Sequence, residues 1–323
     1  MTIFIIRRLV QSVILLWIVS IIAFLAVYLI GNPVDLIAND MSTPAEREAA
    51  MRTLGLDRPL YVQYLTFVGR AVHLDFGTSF MSSLPVSQLI FQRLPATVEL
   101  TIFSFLISLL GLPLGVFAGL YPKSRLAKFI MSSSILCFSL PSFWIGLMAI
   151  MVFSVYLGWL PSTGRGETVS LFGVSFALTW SGLRHLVLPG VVLALFNLAL
   201  LIRMARNNML EVISTDFVRF ARAKGVSERR VIWVHAMRNI MIPIITIQGA
   251  ELAQLLTGAL VVEQIFGYPG IGRLAIEAIN TLDRPVLVAY MMLTVSIFVL
   301  VNLIVDILYG IVDPRIRLGG AHD

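Results

Sequence analysis

Charge is what this sequence has least of. Asp, Glu, Lys and Arg together make up 13% of its 323 residues, where soluble chains carry about 25%. So few charges cannot cover a water-soluble globule, and a hydrophobic content of 58% excludes disorder as well. Cysteine is nearly absent. Cys137 stands alone inside an apolar run, so no intrachain disulfide and no cysteine metal cluster can form. The four histidines, His73, His185, His235 and His322, show no ligand-pair spacing. The three lysines follow Pro122, Ala127 and Ala223, so the chain lacks the Gly-Lys-Ser/Thr loop that cradles phosphates. It also lacks a Gly-x-Ser-x-Gly nucleophile elbow. No catalytic site, and no cofactor held by this chain, is expected.

Long uncharged runs are what the chain has instead. A helix needs ~20 mostly apolar residues to cross a bilayer. Residues 9–30 and 100–121 qualify, and a third span fits best at 130–157, inside the charge-free stretch 129–164. Residues 185–202, 239–262 and 285–305 supply three more, the fifth interrupted by Glu251. The pattern predicts an all-α integral membrane protein with six transmembrane helices. Pro113, Pro141 and Pro243 fall where a helix could kink or hinge. Fifteen of the 24 basic residues then collect in short segments on the side of the amino terminus. By the positive-inside rule both termini are cytoplasmic. The net charge of +6 is this bias, so nucleic-acid binding is not expected.

Two connections exceed simple turns. Residues 31–95 contain Thr43-Pro44-Ala45-Glu46, a capping box with proline at the first helical position. A helix should run from there to about Leu54 and stop at Gly55. Residues 59–72 and 85–94 also show helical spacing, so a small helical external subdomain is expected between the first two spans. Residues 158–184, rich in Gly, Ser and Trp, read as irregular.

The segment 207–238 reads as a helix over 208–224 carrying Asp216, Arg219, Ala221, Arg222, Ala223 and Lys224. Gly225 suits a left-handed stop. Ser227 and Glu228 suit the cap and first turn of a second basic helix. Positive charge alone would fit helices lying on the lipid surface. The small residues Ala221, Ala223 and Gly225 fit a docking knob equally, because they let another backbone approach.

Polar residues within the spans are candidates for function. Gln248, Glu251 and Gln254 recur every three residues and form a polar stripe near one face of the fifth span. The stripe could hold the bundle together or line a solute path. Asn302 and Asp306, four apart late in the sixth span, read as structural contacts.

The run Asp216-Phe-Val-Arg-Phe-Ala-Arg-Ala-Lys-Gly225, with His235-Ala-Met-Arg-Asn239 and Ile242-Pro243, is similar to the cytoplasmic loop of bacterial ABC importer permeases. It looks most like the peptide/nickel branch. Segments along nearly the whole chain agree: Leu54 to Tyr64, Asp75-Phe-Gly-Thr-Ser79, Arg93-Leu-Pro-Ala-Thr-Val-Glu-Leu100, Phe266-Gly-Tyr-Pro-Gly-Ile-Gly-Arg273, Val301 to Asp306 and Asp313 to Arg317.

The resemblance implies type I importer permease architecture, with a first span (1–30), a periplasmic helical subdomain (31–95), a permease core (96–312) and a cytoplasmic tail (313–323). It implies an inner-membrane subunit paired with a homologous second permease, two cytoplasmic ATPase subunits that bind ATP and Mg, and a periplasmic solute-binding protein. The cargo would be peptides or related solutes such as glutathione, nickel or metal chelates. Residues 216–230 would form the coupling helix. The family loop begins Glu-Ala-Ala where this chain has Arg219-Phe220-Ala221, so Ala221 and Gly225 carry over and an acidic first contact does not. In this branch the position of Glu251 is often a neutral amide, so an acid there points to a substrate preference. The rival reading is an ion-coupled secondary transporter without an ATPase.

Overall fold

A computed structural model describes residues 2–29, 57–171 and 174–312. The expected helix at 44–54 and the tail 313–323 lie outside them. Five of its helices are long and apolar enough to cross a membrane, or six if one bent pair counts as a single span.

Helix α1 (Thr2–Leu29) packs along the last helix of the chain. Near one end of α1, Arg8 pairs with Asp306 at 3.2 Å. Farther along, Ser20 shares a 2.8 Å hydrogen bond with Tyr64 of α2 (Leu60–Val72), and Phe24 meets the Tyr64 ring edge-on. Asp306 thus makes a structural contact, as its spacing suggested.

The segment expected as a separate external helix at 85–94 is instead continuous with the second span. Helix α3 (Val86–Ser108) leads through a tight turn at Leu109 and Leu110 into α4 (Gly111–Leu120). Pro113 falls in the first turn of α4, where its missing N–H leaves no bond unmade. Three glycines at four-residue spacing, Gly111, Gly115 and Gly119, face the long helix α7 (Trp180–Ser214). A Cβ on Gly115 would stand 2.4 Å from the Ile202 carbonyl oxygen, so the two backbones touch with nothing between them. Small residues at this spacing are the usual device for close helix packing in lipid, where no hydrophobic force draws helices together.

The third span is broken, not straight. Helix α5 (Arg125–Ser139) starts at Ser124, whose Oγ accepts the Ala127 N–H at 3.0 Å. It ends at Leu140, which is extended (ψ 139°) because the following Pro141 disfavours a helical residue before it. Helix α6 (Ser142–Ala149) then leaves at 109° and passes into a π-helical turn at Ile150–Tyr156. Pro141 is therefore a bend point, while Pro243 sits inside a helix that continues through it.

The segment expected as irregular contains a small antiparallel hairpin, β1 (Val169–Leu171) paired with β2 (Val174–Phe176). It then enters α7 at the cap Thr179, whose Oγ1 accepts the Gly182 N–H at 2.9 Å. The helix expected at 208–224 is also redrawn. Its first half belongs to α7, which runs on to Ser214, and the chain breaks at Thr215 (ψ 153°) before α8 (Asp216–Ala223). At 35 residues α7 measures about 52 Å, well beyond a bilayer core, so its basic end projects. The second basic helix, α9 (Glu228–Arg230), is likewise no surface helix. It continues through a π-helical turn (Val231–Ala236) into α10 (Met237–Ile265), one run from 228 to 265. Helices α11 (Ile271–Asn280) and α12 (Arg284–Val312) complete the chain.

Two apolar clusters hold α3, α4, α7 and α10 together. Leu100, Leu188, Val192, Leu255 and Val262 pack in the half nearer the hairpin. Val116, Leu201, Ala205, Met209, Ile240 and Ile244 pack in the half nearer α8. The bundle therefore has a hairpin end and a loop end.

Candidate functional site

A cleft of ≈ 420 Å³ opens on the side of the bundle where the third span breaks. Its walls are the bend itself (Cys137 to Ser142), a stretch of α7 and a stretch of α10. Irregular backbone at bilayer depth is tolerated only where it is covered by protein or lines a wet cavity. The bend lines the cleft, and water filling the cleft would meet that condition.

The structure divides the polar stripe of the fifth span. Gln248 is buried and faces Asn197 of α7: its Nε2 donates to the Asn197 Oδ1 at 3.0 Å. Asn197 Nδ2 donates in turn to Ser108 Oγ at 3.2 Å. This is a bridge across three spans. Glu251 and Gln254 lie on the cleft wall, Glu251 half-buried and Gln254 exposed. Three residues advance a helix by 300°, so each step of the stripe drifts by 60°. The stripe begins in the core and ends on the cleft.

At the loop end, the turn after α8 is closed by two backbone bonds. Val226 N–H donates to Ala221 C=O at 3.2 Å and Gly225 N–H to Arg222 C=O at 2.9 Å. With Gly225 at φ +77° this is a Schellman stop, which satisfies carbonyls that the helix end would leave open. Arg222 then reaches across the turn to Glu228 with bonds of 3.0 and 2.6 Å. Those bonds raise the affinity of the guanidinium for its proton. Asp216 and Arg219 contact each other at only 3.4 Å, with side chains 97% and 71% exposed. Ala223, Lys224, Gly225, Ser227 and Glu228 are exposed and Ala221 is half-buried. Lys224 lies over the exposed Phe220 ring at 4.4 Å. Val218 alone in α8 is buried and ties the knob to the bundle. A Cβ on Gly225 would meet nothing within 4 Å, so the space beside the turn is open.

At the hairpin end, two of the segments that carry the resemblance, 93–100 and 266–273, are locked together. Arg165 grips Glu99 of α3 with two bonds of 2.7 and 2.9 Å, each side chain 11% exposed. The Tyr268 hydroxyl also donates to Glu99, and so does the Ala177 N–H, at 2.9 Å. Arg165 completes its set on the Ser175 carbonyl at 2.6 Å. Burial tends to lower the Arg165 pKa, but the bonds and charge of Glu99 outweigh it and the net shift is upward. Burial, then the Glu99 charge, push the Tyr268 phenol well above its ordinary value.

Beside this set, Glu263 is wholly buried and accepts from Thr97 Oγ1 at 2.5 Å and from the Arg273 N–H at 3.0 Å. It thereby caps α11. Ser79 donates to Asp283 at 2.5 Å in the same region. Sequence reasoning quoted these segments without assigning them work. The available signal was a lone carboxylate, Glu99 or Glu263, at the edge of an apolar run. Among the described residues no three His, Cys, Asp or Glu converge as metal ligands.

Comparison with known proteins gives a consistent result. The family model described as "Binding-protein-dependent transport system inner membrane component" matches residues 111–318. The model for the N-terminal part of such components matches residues 1–101. A peptide transport system permease protein of Brucella abortus is 42% identical, covering 98% of this chain and 99% of that protein. The oligopeptide transport system permease protein AppB of Bacillus subtilis is 41% identical over 98% and 100%. The dipeptide transport system permease protein DppB of Escherichia coli is 37% identical over 93% and 94%. Among solved structures, a chain of the inward-facing MetNI methionine ABC transporter aligns with a TM-score of 0.54 at 18% identity. The alignment covers 70% of this chain and 97% of that one, a likeness of fold.

Proposed function

The chain belongs to the binding-protein-dependent transport system inner membrane components, and from that premise we propose how its parts divide the work of importing peptides. It is a multi-pass membrane permease subunit of an ABC importer, not an enzyme, and ATP is hydrolysed in partner proteins. The names of its relatives, at 37–42% identity over almost their full length, point to peptides as cargo. An ion-coupled secondary transporter has no support.

The observation that carries the proposal is the knob at the loop end. A Schellman turn on Gly225, with open space beside it and a buried Val218 anchor, is built to enter a cleft in another protein. We assign residues 216–228 to docking on a cytoplasmic ATPase that binds ATP and Mg. That places the loop end and both termini in the cytoplasm, as the basic residues favour, in a bacterial inner membrane. The hairpin end then faces a periplasmic solute-binding protein. A homologous second permease would close the open side of the cleft, and Glu251 and Gln254 would line the shared path.

Gly225→Val tests the docking role. The β-branched residue disfavours φ +77° but meets no neighbour, so insertion should persist while ATPase binding and solute uptake in vesicles fall. Unchanged uptake at normal expression would remove the assignment.

A further inference from the structure

The cleft has apolar walls and a single formal charge. Ile145, Leu193, Leu255 and the stacked rings of Phe138 and Phe196 line it, and Glu251 is the one acidic or basic side chain among the described lining residues. Nothing among the described residues compensates that charge. The Glu251 carboxylate makes no hydrogen bond or ion pair there, and no charged group lies close enough to act on it. Two neighbouring polar groups are already engaged: Asn197 is held between Ser108 and Gln248, and Ser139 Oγ donates to the Ile135 carbonyl at 2.8 Å.

Arg203 of α7 does not neutralise it. Arg203 rests on the Phe138 ring at 4.0 Å and is not on the cleft wall. Gln248 and Asn197 are bonded, so they mark one level of the bundle. Arg203 lies six residues from that level toward the loop end and Glu251 three toward the hairpin end, about 13 Å apart in helical rise.

A carboxylate at bilayer depth is costly unless a positive charge or water faces it. Glu251 is half-buried, and its open side is the cleft. On α10 the lining residues run from Glu251 to Val262, so Glu251 is the one nearest the loop end. With the hairpin end outward, an entering solute meets the carboxylate last, at the inner end of an apolar passage.

We propose that Glu251 is the cation-binding point of the cleft and gives the permease a preference for solutes of net positive charge, peptides with a lysine or arginine side chain among them. A long basic side chain suits the place, because its methylene stem lies along the apolar wall while its charged head meets the carboxylate. A neutral peptide gains less there, and an acidic one is repelled. The inference rests on the reading of the cleft as the solute path.

Cys137 lines the same cleft and is the sole cysteine of the chain, so its thiol reports the local potential. The full permease–ATPase complex, with the cysteines of the other subunits replaced, is treated at pH 8 with two methanethiosulfonates of similar size. One bears a trimethylammonium group and the other a sulfonate. The ratio of their rates cancels changes in access and in thiol ionisation. A charge ~10 Å away across a wet cleft shifts that ratio about tenfold. Glu251→Gln should lower the cation-to-anion ratio by that factor, and Glu251→Asp should keep it near wild type. In vesicles supplied with the same solute-binding protein, Glu251→Gln should also lower uptake of Ala-Lys-Ala relative to trialanine by about threefold. The binding protein is common to both permeases, so its own preference drops out. If Glu251→Gln leaves either the labelling ratio or the uptake ratio unchanged, the proposal is overturned and the path reading stands. If neither reagent reaches Cys137, the cleft is not a wet path, and both readings fall.

Discussion

Replacing Gly115 by alanine tests whether the α4–α7 seam is as tight as its geometry says. The added methyl would lie 2.4 Å from the Ile202 carbonyl oxygen and 2.7 Å from the Ala205 Cβ. Two of those neighbours' atoms belong to, or sit directly on, the α7 backbone, so no flexible side chain can swing aside. Separating the helices by about 1 Å would also disturb Gly111 and Gly119, whose faces touch Leu198 O and Met209 Cβ at 2.7 and 2.8 Å from an added Cβ. Overpacking of this kind costs ~1–3 kcal/mol. Against it stands the gain of a helix-favouring alanine, ~0.5–1 kcal/mol. The net expectation is a loss of about 1–2 kcal/mol, and more for Gly115→Val. Gly69 of α2 serves as the control, because a Cβ there meets nothing within 4 Å. Gly69→Ala should be neutral or stabilising. Unfolding in mixed detergent micelles, followed by circular dichroism, measures both. If Gly115→Ala is as stable as Gly69→Ala, the seam can open freely and the close-packing argument is wrong.

Glu99→Gln would leave the Arg165 guanidinium buried without its counter-charge, a loss of about 3–5 kcal/mol in the same unfolding assay. A loss under 1 kcal/mol would mean that the hairpin end is wetter than the structure shows. Glu263→Gln replaces one of two accepting oxygens with a donor, so either Thr97 or Arg273 N–H loses its acceptor. About 1–3 kcal/mol should disappear, and protease sensitivity should rise at 266–273 before anywhere else. Asp306→Asn should cost under about 1 kcal/mol, since Arg8 and Asp306 are 43% and 25% exposed. Pro141→Ala removes the reason for the extended Leu140, and the bend should relax. Slower maleimide labelling of Cys137 would show the cleft narrowing, and an unchanged rate would place the cause of the bend elsewhere.

Hydropathy located the helices but not their directions. Residues 129–164 carry no charge, and an apolar run has the same hydropathy whether straight or folded by 109°. Only Pro141 marked the place, and Pro113 and Pro243, equally visible, bend nothing sharply. The stop at Gly225 was legible because a positive φ narrows the choice of residue. The merger of 208–214 with α7 was not, since arginine and asparagine continue a helix beyond the membrane as readily as they begin one outside it. The separation of Gln248 from Glu251 depends on a 60° drift and on Asn197, some fifty residues away in sequence. The clasp of Glu99, Arg165 and Tyr268 joins three segments whose adjacency is tertiary, so local pattern carried no trace of it.

The run from Glu228 to Ile265 is a lever with its load points already fitted. Glu228 ties its foot to the knob through Arg222, Glu251 stands near its middle on the cleft, and Glu263 pins its head against Thr97 and α11. Thirty-eight residues of helix extend about 57 Å, and a rod of that length cannot move at one end alone. The π-helical turn at Val231–Ala236, where the regular bond ladder is interrupted, is its compliant joint, just above the foot. A push on the knob would then be delivered as a tilt about the pinned head, with a displacement at Glu251 about a third of that at the foot.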